Sequence, residues 1–221
     1  MDASINKETL DFLKKLAKNN NREWFNENKD LYLSSLDNVH DFLRVLIAKT
    51  GVFDKSVAGL EPKKCLFRIY RDTRFAKDKT PYKTHFGAWI SDDIKDEKAG
   101  YYIHIQPGNS FLAGGVWHPE ANRLKNIREE ISFEPAKFKK VINNKAFKEN
   151  FGEIEGDKLV TAPKGFAKDD PMMEYLKFKD LIASHKINDT QLLSKDCATY
   201  CAKIFKSMVP FNDFLNKPLS L

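Results

Sequence analysis

The spacing of apolar positions changes along the chain, and each change predicts an element. Residues 6–18 carry Leu10, Phe12, Leu13 and Leu16 at helical spacing, with Asn6 placed to cap the helix and Asn19-Asn20-Asn21 to end it. Asn21 is placed to cap a short helix holding Trp24 and Phe25. A longer helix follows, lined by Leu31, Leu36, Val39, Phe42, Leu43, Leu46 and Ile47, with Gly51 fitting the position just past its end. His40, one position off that stripe, reads as a surface or boundary residue.

After Pro62 the period becomes two. Cys65, Phe67 and Ile69 alternate with Leu66, Arg68 and Tyr70. Phe86, Ala88 and Ile90 alternate with His85, Gly87 and Trp89, and Tyr101, Ile103 and Ile105 with Tyr102, His104 and Gln106. Turn-forming segments at 77–81, 92–100 and 107–110 separate these runs. A fourth run, FLAGGVWH, ends at Pro119, and Gly114-Gly115 within it predict a bulge or a close approach. The pattern predicts an antiparallel meander of about four strands over residues 64 to 118.

Helical spacing then returns. Pro119 fits the first position of a helix lined by Leu124, Ile127 and Ile131, and Pro135 opens another that Gly152 stops. A hairpin or loop is expected around Gly156-Asp157, a helix from Asp170-Pro171 to about Phe178, and a strand at LIASHKI. A last helix begins near Ser194 and Asp196 and is expected to end before Pro210. No repeat, low-complexity tract or linker divides the sequence. The expectation is one α+β domain over residues 1–221, the meander flanked by N-terminal and C-terminal helices.

Composition narrows the class without naming it. At 221 residues, 42% hydrophobic and 12% aromatic, the chain has material for a sizeable core. No apolar run reaches the length of a membrane span. The N-terminal MDASINKETLDFLKK lacks the order of a signal peptide, so a cytoplasmic location is expected, with no membrane partner. Cys65, Cys197 and Cys201 form no CxxC pair and read as small core residues.

Charge changes the picture more. Of a net +6, the stretch FRIYRDTRFAKDKTPYKTHFGAWI (residues 67–90) holds Arg68, Arg71, Arg74, Lys77, Lys79 and Lys83 against only Asp72 and Asp78. A focused positive field attracts anions. If the apolar partners face the core, Arg68, Tyr70, His85, Trp89, Tyr102, His104 and Gln106 share the opposite face, close enough across strands to act together. That face is basic, imidazole-bearing and aromatic, as one wall of an anion pocket would be. Arg68, Arg71, Arg74 and Lys83 are the candidate anion ligands, with His118 a further ligand contact. Tyr70, Trp89 and Tyr102 would pack a ring or apolar part, and His85 and His104 are candidates for proton transfer.

His85, His104 and His118 with Glu120 also have the chemistry of divalent metal ligands. Their spacing matches no compact ligand motif, and the arginines oppose a cation, so no metal is assigned. No Walker loop, GxGxxG or GxSxG is present, and no motif identifies a cofactor.

The same basic stretch, with YYIHIQPGNSFLAGGVWHPE, NNREWFNENK and MMEYLKFKDLIASHKI, closely resembles the signature of the family called domain of unknown function 2461. The matches run in order from about residue 4 to 210. The resemblance implies single-domain cytoplasmic proteins and supplies no catalytic residues. Three function classes stay open. The first is binding of, or action on, a small phosphate- or carboxylate-bearing ligand. The second is an interaction domain whose arginines are all internally paired. The third is single-stranded nucleic-acid binding, disfavoured by the near-neutral charge elsewhere.

Overall fold

A computed structural model describes residues 2–92 and 98–219. The protein is α+β, with a four-stranded antiparallel sheet in the order β1-β2-β3-β4: β1 Phe86–Ile90, β2 Gly100–Ile105, β3 Ser110–Val116 and β4 Leu181–Ile187. The helices are α1 Lys7–Lys18, α2 Arg22–Glu27, α3 Lys29–Thr50, α4 Pro62–Cys65, α5 Ala121–Phe133, α6 Pro135–Ile142, α7 Lys145–Phe151, α8 Met173–Leu176, α9 Asp189–Leu193 and α10 Cys197–Asn216. The chain divides into two compact units. The first comprises Met1–Ile90, Tyr102–Leu112 and Lys186–Lys203; the second comprises Ser91–Tyr101, Ala113–His185 and Ile204–Leu221.

In the first unit α1 and α2 pack on α3; Leu31, expected on the α3 stripe, is instead 41% exposed. Leu10, Leu13 and Leu16 are buried, as are Val39, Phe42, Leu43 and Leu46. Asn21 caps α2, its side chain accepting the Trp24 N–H at 2.9 Å. Asn6 sits at the N-cap of α1 without a capping bond; instead its backbone N–H donates to Asn38. Gly51 ends α3 in right-handed backbone, so conformational freedom is not its reason. A Cβ there would lie 3.0 Å from Ala58 Cα. Phe86 of β1 meets Phe12 and Tyr32, each at 6.4 Å between ring centroids, so the helices cover the apolar face of that strand.

The expected first strand, 65–70, is absent as a strand. Cys65 closes α4, and beyond it two isolated bridges join Leu66 to Ala88 and Tyr70 to Tyr82. Three residues lie between Leu66 and Tyr70 but five between Tyr82 and Ala88. The excess breaks the ladder, and the chain bends at Thr84-His85. Parity fails there too: Cys65 and Ile69 are buried while Phe67 is 44% exposed. The sheet's fourth strand is instead the LIASHKI segment, β4. Of the turn expected at 92–100, residues 93–97 lie outside the described residues.

In the second unit Gly114 and Gly115 serve close approach. A Cβ on Gly114 would collide with Met208 Sδ, and one on Gly115 with the Leu181 carbonyl. The helix expected to start at Pro119 begins two residues later, at Ala121. The segment opened by Pro135 is two helices rather than one, because Asn144 caps α7 by accepting the Ala146 N–H. The helix expected from 170 to 178 is only the short α8. The last helix does not stop at Pro210. α10 runs through it to Asn216, because Phe211, Phe214 and Leu215 beyond the proline are buried. Apolar burial of about 1.5–3 kcal/mol per large side chain offsets the missing N–H and the ring clash.

Candidate functional site

Alternation places the site. On β2, Tyr101, Ile103 and Ile105 are buried on one face, which sends Tyr102, His104 and Gln106 to the other. There they form a chain of hydrogen bonds. Tyr102 O–H meets His104 Nδ1 at 3.1 Å, and His104 Nε2 meets Gln106 Oε1 at 2.9 Å. This arrangement assigns the His104 proton to Nε2, with Nδ1 accepting from the phenol. Gly87 makes room for the phenol, since a Cβ there would lie 2.5 Å from Tyr102 Oη. The glycine in FGAWI thus serves a side chain on the neighbouring strand.

His85, at the bend just before β1, lies over His104 with ring centroids 4.1 Å apart. Phe111 of β3 stacks on the His104 ring at 4.7 Å, and Tyr102 also meets Phe111 and Phe67. Burial lowers the pKa of both imidazoles. For His85 the neighbouring His104 and Lys83 add to burial, bringing it to about 4; for His104 the Gln106 bond partly opposes it. Both rings are therefore neutral at pH 7. Burial pushes the Tyr102 phenol up to about 12. No hydrogen bond to the His85 ring exists among the described residues, whereas both nitrogens of His104 are engaged.

One cation, Lys83, lies beside His85, and the exposed Arg68 lies near Lys83 and Asp72. Lys83 is half-buried with its ammonium 5.3 Å from the centre of the Phe67 ring. Burial lowers its pKa, and the charge of Arg68 lowers it further. Neither Lys83 nor Arg68 has an ion pair among the described residues.

The other expected residues make other contacts or none that joins them to these rings. Arg71 donates to Asp78 at 2.6 Å and to Thr80. Arg74 forks onto Asp72, with Nη2 at 2.7 Å from Oδ2. Tyr70 joins an aromatic group with Phe25 and Tyr82, and Trp89 is half-buried on β1. His118 belongs to the second unit, where Asp180 holds it. The structure thus gathers His85, His104, Tyr102 and Lys83, with the exposed Arg68 near Lys83. Periodicity alone did not single out Phe67 and Phe111 for this group. Phe111 precedes the buried Leu112 on β3, so its parity was the available signal.

A groove in the second unit, lined by Phe147, Glu153, Lys158, Glu174, Tyr175 and Phe178, holds none of these residues. Among the described residues no three His, Cys, Asp or Glu are grouped to hold a metal ion. Nor, among them, is any helix long and apolar enough to cross a membrane. The three cysteines are buried thiols, Cys197 and Cys201 with sulfurs 3.9 Å apart on one face of α10.

Comparison with known proteins gives no match among curated sequences or among solved structures. A family described as "Conserved hypothetical protein (DUF2461)" matches residues 8–214, nearly the whole length over which the basic stretch, the histidine pair and the sheet are laid out. The chain belongs to the DUF2461 family.

Proposed function

We propose that the protein binds, and acts on, a small anionic ligand that also carries a ring or apolar part. The observation that carries this reading is Lys83: a half-buried cation with no ion pair among the described residues, close to the neutral His85 imidazole and to the exposed Arg68. A cation left without its counter-charge in a partly desolvated place is costly, and an incoming phosphate or carboxylate relieves that cost. Phe67, Tyr102 and Phe111 supply the apolar wall. His85 is the proton acceptor, neutral and with no hydrogen bond to its ring among the described residues; His104, fixed by Tyr102 and Gln106, lies against it. Arg71 and Arg74 hold the 71–80 loop through Asp78 and Asp72.

A thermal-shift and calorimetric screen of phosphorylated aromatic compounds against inorganic phosphate tests this. Saturable binding is expected, lost in Arg68→Ala and Lys83→Met. Equal behaviour of wild type and both variants would defeat it. A second reading, single-stranded nucleic acid, draws on Phe75, which is 95% exposed beside Arg74 on the basic loop. A steep fall of affinity with salt, and loss in Phe75→Ala but not in Lys83→Met, would favour that reading instead.

A further inference from the structure

The second unit contains an imidazole that the site above does not use. His118 is the one non-glycine among the described residues with positive φ, at 50°. Its ring is largely solvent-exposed and lies against Trp117, itself 71% exposed, with centroids 4.5 Å apart. What holds it is Asp180, at the start of β4 and only 4% exposed. One carboxylate oxygen, Oδ1, accepts the His118 backbone N–H at 2.7 Å and faces His118 Nδ1 at 3.2 Å.

The burial of Asp180 is built by its neighbours. Gly156, at φ 148°, lies so close that a Cβ would collide with the Asp180 carbonyl. The Lys179 N–H donates to the Asp157 carbonyl at 2.7 Å, and Glu155 bridges to Ile182. A loop without a side chain at 156 therefore lies against the Asp180 backbone, and the only residue hydrogen-bonded to the Asp180 carboxylate, among the described ones, is His118. Nδ1 is the ring nitrogen nearest the carboxylate, so Nε2 is the one turned away from Asp180 on a ring that is 67% exposed. A carboxylate on Nδ1 orients the imidazole and stabilises the positive charge that develops when Nε2 attacks an electrophile. Left-handed backbone at a residue with a side chain is strained, and such strain gathers at working positions.

We propose that His118 is a phosphoryl-acceptor site, its Nε2 taking a phosphoryl group from a small phosphoramidate or acyl-phosphate donor, with Asp180 as the positioning residue. In the step with phosphoramidate, the Nε2 lone pair forms the new N–P bond, the donor's P–N bond breaks, and ammonia leaves. Nδ1 keeps its proton toward Asp180. The acceptor lies just ahead of α5, a 13-residue helix. The first-turn N–H groups and the helix dipole there favour the added negative charge.

The test is incubation of the full chain with phosphoramidate, followed by peptide mass mapping and phosphorus NMR. The chain has five histidines, so four serve as internal controls. A phosphoryl adduct on His118 at Nε2 is expected, absent in His118→Asn and formed at least tenfold more slowly in Asp180→Asn. Asparagine tolerates the left-handed backbone, so the first variant keeps the turn, and an unchanged melting temperature checks this. Labelling spread evenly over the histidines, an adduct on Nδ1, or wild-type rates in Asp180→Asn would each overturn the proposal.

Discussion

His85 and His104 face each other across the start of β1 and the middle of β2 at 4.1 Å between ring centroids, and they differ in one decisive respect. His104 is held at both nitrogens, by Tyr102 and Gln106, while no hydrogen bond among the described residues reaches the ring of His85. One ring is scaffold and the other is available.

The pair makes stability depend on pH in a defined window. The folded pKa of His85 is about 4 against 6.5 ordinarily, so between those values the unfolded chain binds the extra proton. Stability is fully present above pH 6.5 and declines as the pH falls toward 4, and His104 contributes in the same direction. Urea unfolding at a series of pH values should show this slope, and His85→Asn should flatten it. The Asp78 carboxyl, held near 2 mainly by the Thr80 backbone N–H and the Arg71 side chain, acts only below that window.

Gly87→Ala is expected to disturb chemistry more than stability. The new methyl displaces the Tyr102 hydroxyl, which is the far end of a side chain, and breaks its bond to His104. The loss should be about 1 kcal/mol. Imidazole nitrogen shifts in NMR should report His104 Nδ1 released from the phenol. Unchanged His104 signals would show that the strand, not Tyr102, had moved.

Arg68 and Arg71 are separated by two positions and should behave differently. Arg71 is engaged by Asp78 and Thr80, so Arg71→Ala should loosen the loop and leave ligand affinity within about twofold. Arg68→Ala removes a charge-assisted contact of about 1.5–3 kcal/mol, or roughly 10–100-fold in affinity. Titration calorimetry of both variants with a phosphorylated ligand separates them.

Packing under the sheet sets the largest single cost. Phe86 is buried between Phe12 and Tyr32, and Phe86→Ala should destabilise the first unit by about 3–5 kcal/mol. At the other extreme, Asn188→Ala removes the capping box of α9 and should cost about 1 kcal/mol. Chemical denaturation measures both.

How much of this was legible in the sequence varies by element. The parity of β1 and β2 could be read, because alternation over Phe86–Ile90 and Tyr101–Gln106 reflects one apolar face and one bearing Tyr102, His104 and Gln106. The same alternation at 65–70 misled. Period two records which residues are apolar, not whether a partner strand has the matching number of residues, and here the partner has two too many. Pro210 was a fair stop signal by local sterics, overridden by three buried residues beyond it. Engagement of Arg71 and Arg74 by Asp78 and Asp72 was within local reach, since the partners lie within seven residues of each other. The grip of Asp180 on His118 was not, since 62 residues separate them and nothing local in KFKDLI marks the aspartate.

The contact between Gly114 and Met208 makes the sheet answerable to oxidants. The thioether lies where a side chain on β3 would stand, with backbone directly beneath it. Conversion to the sulfoxide adds an oxygen and a strong dipole to an atom that already fills its socket. A peroxide acting on Met208 would therefore wedge α10 away from β3, a lesion felt first as lost rigidity in the second unit.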